Sequence, residues 1–134
     1  AGDETVKILP VGLLVLVPML GICCGCASSG MADRPDPAES YGAIAYAPGT
    51  QDWRIRWQAV DARRARERAL ADCAAADCRT VLEFGPGQCG TLALSSGGFG
   101  IGQGDTPTAA ESAALHECGK TGSDCRAAPA ECNR

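Results

Sequence analysis

Six cysteines dominate the chemistry open to the body of this chain: Cys73, Cys78, Cys89, Cys118, Cys125 and Cys132. So many thiols in a short chain suit either a zinc site or a set of disulfides. A zinc site would have to join Cys73-x4-Cys78 to Cys118-x6-Cys125. Those spacings are wider than the usual short zinc knuckles. Disulfides are therefore expected and no metal is, although six cysteines alone allow fifteen pairings.

His116 is the single histidine. A general base needs a nucleophile and an orienting group beside it. Ser95 and Ser96 lack the G-x-S-x-G elbow that presents a nucleophilic serine. His116 is read as a surface residue and no catalytic residue is assigned; a small exported hydrolase using His116 is the alternative. Gly98, Gly100, Gly102 and Gly104 alternate with Phe99, Ile101 and Gln103. A phosphate cradle would need G-x-G-x-x-G or a P-loop lysine, and this run has neither. The alternation predicts a strand with one bare face that a helix or another backbone approaches closely. No cofactor is expected.

Arg54, Arg56, Arg63, Arg64, Arg66 and Arg68 form the one local concentration of charge, interrupted by Asp61 and Glu67. One reading is a solvated face with internal ion pairs. The other is a surface for an acidic protein, anionic lipid or another anionic envelope component. The later part of the chain has no such cluster. That asymmetry singles out Arg54, Arg56, Arg64 and Arg68 as the candidate binding surface.

The elements that position these residues must be built from little material. The chain has 134 residues, 4% aromatics and a formal net charge of -4. The negative balance argues against nucleic acid as a partner. Abundant Ala and Gly imply a core of small side chains, which covalent staples would support. Ile8 to Ala32 carries no charge, and Ile8 to Ile22 is almost wholly apolar with Lys7 before it. This reads as a signal peptide or a membrane or lipoprotein anchor over 1–26. It ends in CCGCASSG, which suits either lipidation at Cys26 or ordinary cleavage near Ala27 or Ser29. The chain is thus expected to be exported: secreted, periplasmic or anchored in the envelope through its N-terminal segment. Residues 27–40 are small, polar and proline-containing, and form a linker.

From Tyr41 the chain repeats itself. YGAIAY matches CGTLAL, Trp53 and Ile55 match Phe99 and Ile101, and Ala65, Ala69, Leu70 and Cys73 match Ala110, Ala114, Leu115 and Cys118. Two half-units follow, about 41–88 and 89–134, each reading strand, strand, helix, strand. Period-two alternation puts Trp53, Ile55 and Trp57 on one face of the second strand and Arg54 and Arg56 on the other. Helices are expected to open at Asp61, and at Thr106 with Pro107 as the first helical residue. Third strands are expected over Thr80 to Phe84 and Ala127 to Ala130, the latter at an edge because of Pro129. The fold class is α+β: an antiparallel sheet covered by two helices and stapled by disulfides.

YGAIAYAP, the helix cysteine pairs, the Cys89-Gly90 start of the second half and the terminal Cys132-Asn133 resemble the secreted bacterial domain-of-unknown-function family 4189. The resemblance implies export and a disulfide-linked fold over residues 41–134, and brings no catalytic residues. The second half departs from its pattern at Gln103 and Pro129. The repeat narrows the pairing. Cys73–Cys78 and Cys118–Cys125 are equivalent pairs, each joining a helix end to the next strand, which leaves Cys89–Cys132. The expected function is an exported interaction module without catalysis, its partner unknown. A purely structural envelope lipoprotein is a further alternative.

Overall fold

Both helices begin at a side chain that takes up a free backbone amide. The Asp61 carboxylate accepts from the Arg64 N–H at 2.6 Å, and the Thr106 hydroxyl accepts from the Ala109 N–H at 3.2 Å. Each cap satisfies a donor that the first helical turn would leave unpaired. Pro107, which has no N–H to lose, is the first residue of the second helix.

The computed structural model describes residues 39–134. The expected export segment, the lipidation at Cys26 and the linker as far as residue 38 lie outside the described residues. The elements run β1 (Tyr41–Ala47), β2 (Asp52–Ala59), α1 (Ala62–Asp72), β3 (Arg79–Phe84), β4 (Cys89–Ser95), β5 (Gly98–Gly104), α2 (Pro107–Cys118), β6 (Arg126–Ala127) and β7 (Glu131–Cys132). The α+β class holds. The strands divide between two antiparallel sheets, one ordered β2-β1-β3 and the other β5-β4-β6, with β7 also pairing β4. Both halves place their first strand in the centre.

Alternation along β1 explains the layering. Ala43, Ala45 and Ala47 pack with Ala65 and Ala69 of α1. Ile44 and Tyr46 turn the other way, into a cluster with Ile55, Phe84 and Leu92 that joins the two sheets. On the far side Ala93 packs with Ala114 and Cys118 of α2. The order is therefore helix, sheet, sheet, helix. The large side chains lie between the sheets, and alanine lies under each helix, where it permits a close approach. Tyr46 and Phe99 meet across the middle with ring centroids 4.2 Å apart.

Two close approaches depend on glycine. The Phe84 ring lies against both Gly42 of β1 and Gly90 of β4, where any Cβ would overlap it. The bare face of β5 lies under α2: a Cβ on Gly100 would overlap the Cys118 amide, and one on Gly102 the Ala110 carbonyl. The alternating glycines are thus occupied by a helix, which leaves no phosphate cradle.

The expected third strand of the second half is broken. Pro129 has no N–H to donate, so the run divides into β6 and β7. Ala128 still donates to Leu92 O at 2.9 Å, whereas the Ala130 N–H turns to the Glu111 carboxylate at 3.1 Å.

Disulfides join Cys73 to Cys78, Cys118 to Cys125 and Cys89 to Cys132. The first two span 5 and 7 residues and fix the end of each helix to the following loop. The third spans 43 residues and joins register partners on β4 and β7. In the chain-entropy model the long loop is worth roughly 4 kcal/mol and each short one about 2 kcal/mol. Replacing Cys89 and Cys132 together by Ser should lower the urea midpoint more than removing either short pair, by a margin of about 2 kcal/mol. Equal losses for all three pairs would contradict this.

Candidate functional site

Alternation along β2 sends Trp53, Ile55 and Trp57 to the inter-sheet side and Arg54 and Arg56 to the α1 side. Ile55 is buried, while both tryptophans are half-buried. The reason lies in the topology. β2 is an edge strand, and the element across from it is the β6–β7 run that Pro129 interrupts. The second sheet therefore gives β2 incomplete cover.

What remains is a groove along this edge. One lobe, of about 410 Å³, runs beside Trp53, Ile55 and Trp57 and is closed by Pro129 and Glu131. A second lobe, of about 520 Å³, shares Trp53 and is lined by Gln51, Ser95, Ser96, Asp124 and Arg126 among others. Trp53 lines both lobes. Each lobe falls in the size range of small-molecule sites.

The arginines on the groove lip are held in place. Arg54 Nη1 lies 2.7 Å from Asp52 Oδ1 and donates to Trp53 O at 2.6 Å. Arg56 Nε donates to Asp72, the last residue of α1, and its Nη1 donates to Ile55 O at 2.9 Å. Asp52 reaches across to accept the Ala74 N–H at 3.1 Å, beyond the end of α1. That amide, followed by the Arg54 guanidinium, holds the Asp52 carboxyl below its ordinary range.

The other candidate arginines lie on the helix. Arg64, Arg68 and Asp72 follow one another at four-residue spacing along one ridge of α1. Arg56 joins that ridge at Asp72. Arg63 and Arg64 pair with Glu67, and Arg66 pairs with Glu83. Arg68 has no side-chain hydrogen bond or ion pair among the described residues. The charge cluster is thus largely neutralised by its own carboxylates. The structure brings Arg54 and Arg56 to the groove and leaves Arg64 and Arg68 on the outer helix face.

His116 lies on the outer face of α2 with 76% of its side chain exposed and Glu117 beside it. The Glu117 carboxyl is held low, chiefly by Lys120. The serine hydroxyls are engaged elsewhere: Ser95 with Gly98 O, and Ser96 with Asp124. The structure does not bring them to His116. Among the described residues no group of His, Cys, Asp or Glu side chains is arranged to hold a metal, and no helix is long and apolar enough to cross a membrane.

Alternation places Trp53 and Trp57 on one face of β2, and Pro129 marks an edge, but neither signal joins these residues, or Glu131, into a site. The half-exposure of the tryptophans follows from where the opposite strand breaks.

Taken together, the geometry defines a small disulfide-stapled α+β domain of four layers with an aromatic groove on one edge. Residues 41–132 match the family model described as a domain of unknown function (DUF4189), and the chain belongs to that family. No curated protein and no solved structure matches it. Three disulfides fit an oxidising environment outside the cytosol.

The Asp52 network carries a pH signature. A carboxyl whose pKa is lowered by folding adds stability above its ordinary pKa and loses it as pH falls through the lowered value. Asp52→Asn should therefore have a lower Tm than the parent at neutral pH. The gap should close as pH falls below the usual carboxylate range. Thermal melts across that range check it, and a gap independent of pH would contradict the assignment.

Proposed function

We propose that this domain is an exported binding module without catalysis of its own, and that its site is the groove along β2. The observation that carries the reading is the placement of the chain's two tryptophans. Both stand half-exposed on one face of an edge strand, between the paired arginines Arg54 and Arg56 and the Pro129 to Glu131 segment. Tryptophan is costly to leave in water and recurs at the centres of binding sites. Arg54 and Arg56 belong to this site as its lip. Arg64 and Arg68, on the outer ridge of α1, stand outside it. Export rests on the apolar segment before residue 26 together with the disulfides. The partner is a component of the envelope or of the medium outside the cell.

The two tryptophans also supply the readout, because no other residue contributes tryptophan fluorescence. Envelope extract should protect the oxidised full-length protein from acrylamide quenching. Trp53→Ala and Trp57→Ala should each weaken retention of the ligand fraction at least tenfold, a loss typical of a central binding aromatic. Arg64→Gln with Arg68→Gln should leave retention unchanged. Loss on the arginine substitutions with no effect of the tryptophan ones would move the site to the helix ridge and refute the groove.

A further inference from the structure

We infer that the groove takes an uncharged, hydroxyl-rich glycan chain several rings long; this rests on the binding-module reading and names its ligand. The first argument is charge. Both arginines on the lip are committed, Arg54 to Asp52 and Arg56 to Asp72. At these two pairs a fixed anion would have to displace a carboxylate, and a fixed cation an arginine, so neither gains there. A hydroxyl both donates and accepts, and can join such a pair without breaking it. At the far ends stand Glu131 and Arg126, each without a side-chain hydrogen bond or ion pair among the described residues. Asp124 lines the same lobe as Arg126, so the arginines Arg54, Arg56 and Arg126 are met by Asp52, Asp72, Asp124 and Glu131, and the groove offers no cationic patch to an anion.

The second argument is the edge itself. An extended peptide would bind by adding a strand to β2. The Trp53 and Ile55 carbonyls already accept from the guanidinium groups of Arg54 and Arg56, and the Trp53 N–H donates to the Asp52 carboxylate. Covered backbone groups of this kind protect an edge strand from pairing. The strand therefore offers side chains to a ligand in place of its backbone.

The third argument is spacing. Trp53 and Trp57 are four residues apart on one face, about 13 Å along a strand. Both indoles line one lobe, where a chain of rings can lay the C–H face of one unit on each. Gln51 supplies a polar group in the second lobe: its Nε2 donates to Ser95 O, and its amide oxygen makes no hydrogen bond among the described residues.

The test is acrylamide quenching of the oxidised full-length protein with defined probes. These are uncharged β-1,4-linked N-acetylglucosamine, α-glucan and α-mannan oligomers, their single sugars, polyglutamate and a proline-rich peptide. At least one uncharged oligomer should protect the tryptophans, at least tenfold more tightly than its single sugar. Added salt should leave its affinity unchanged within twofold, because no net charge is neutralised. Trp53→Phe and Trp57→Phe, which keep ring volume in the half-buried sites, should each weaken it. Protection by polyglutamate or the peptide, with none by the oligomers, would overturn the glycan assignment and leave the binding groove standing. No protection by any probe or by envelope extract would overturn both.

Discussion

The structure depends on one buried amide, that of Asn133. Its side chain is fully buried and makes three hydrogen bonds. Nδ2 donates to Phe84 O at 3.1 Å and Gly85 O at 3.0 Å, while Oδ1 accepts from the Gln58 N–H at 3.0 Å. Its backbone joins the β3–β4 loop through Gln88 O and the Gly87 N–H. One residue near the C-terminus thus ties the end of β2, the end of β3 and the loop into the second half. The neighbouring Cys132 is bonded to Cys89 at the start of β4. A buried polar group left unpaired costs about 1–3 kcal/mol, so removing this amide exposes several groups to that penalty at once. Through this clasp β7 is kept opposite β2, where Glu131 and Pro129 close the groove.

The two halves share a frame and fill it differently. Where β5 has Gly100 and Gly102, β2 has Arg54 and Arg56. Glycine lets α2 settle directly over β5, backbone to backbone. Arginine cannot be covered in that way. Arg54 instead pairs with Asp52 of its own strand and Arg56 with Asp72 at the end of α1, and both donate to carbonyls of β2. The difference makes one outer sheet face a packed interface and turns the other into the polar lip of a groove. The residues that cap β2 against strand addition are the same ones that polarise its rim.

What was legible in the sequence was local. Asp61 and Thr106 announce helix starts because a cap needs only its own turn. The bare face of β5 follows from alternation, and Pro129 marks the weak strand because a missing donor is a property of the residue. Its full consequence, a break into β6 and β7, depends on Glu111 supplying the partner for Ala130. The division of the strands between two sheets was not legible, since pairing partners are set by packing between distant segments. Internal ion pairing was one of the two readings open to the arginine cluster, but which carboxylates take part, Asp52, Asp72 and Glu83, depends on how β2, α1 and β3 pack. Asn133 gave no signal of its weight beyond its position after Cys132. The groove combines two tryptophans of an edge strand with a broken strand from the other half of the chain, and exists only in three dimensions.

The dependence of the groove on the clasp is most directly tested by hydrogen exchange of the oxidised Asn133→Ser protein, read beside acrylamide quenching. The account predicts faster exchange at Gln58, at Gly85 to Gln88 and in β7, with greater quenching of the tryptophans. Protection should persist where α2 covers β5. Wild-type exchange at Gln58 and in the loop, or a uniform loss across both halves, would contradict it.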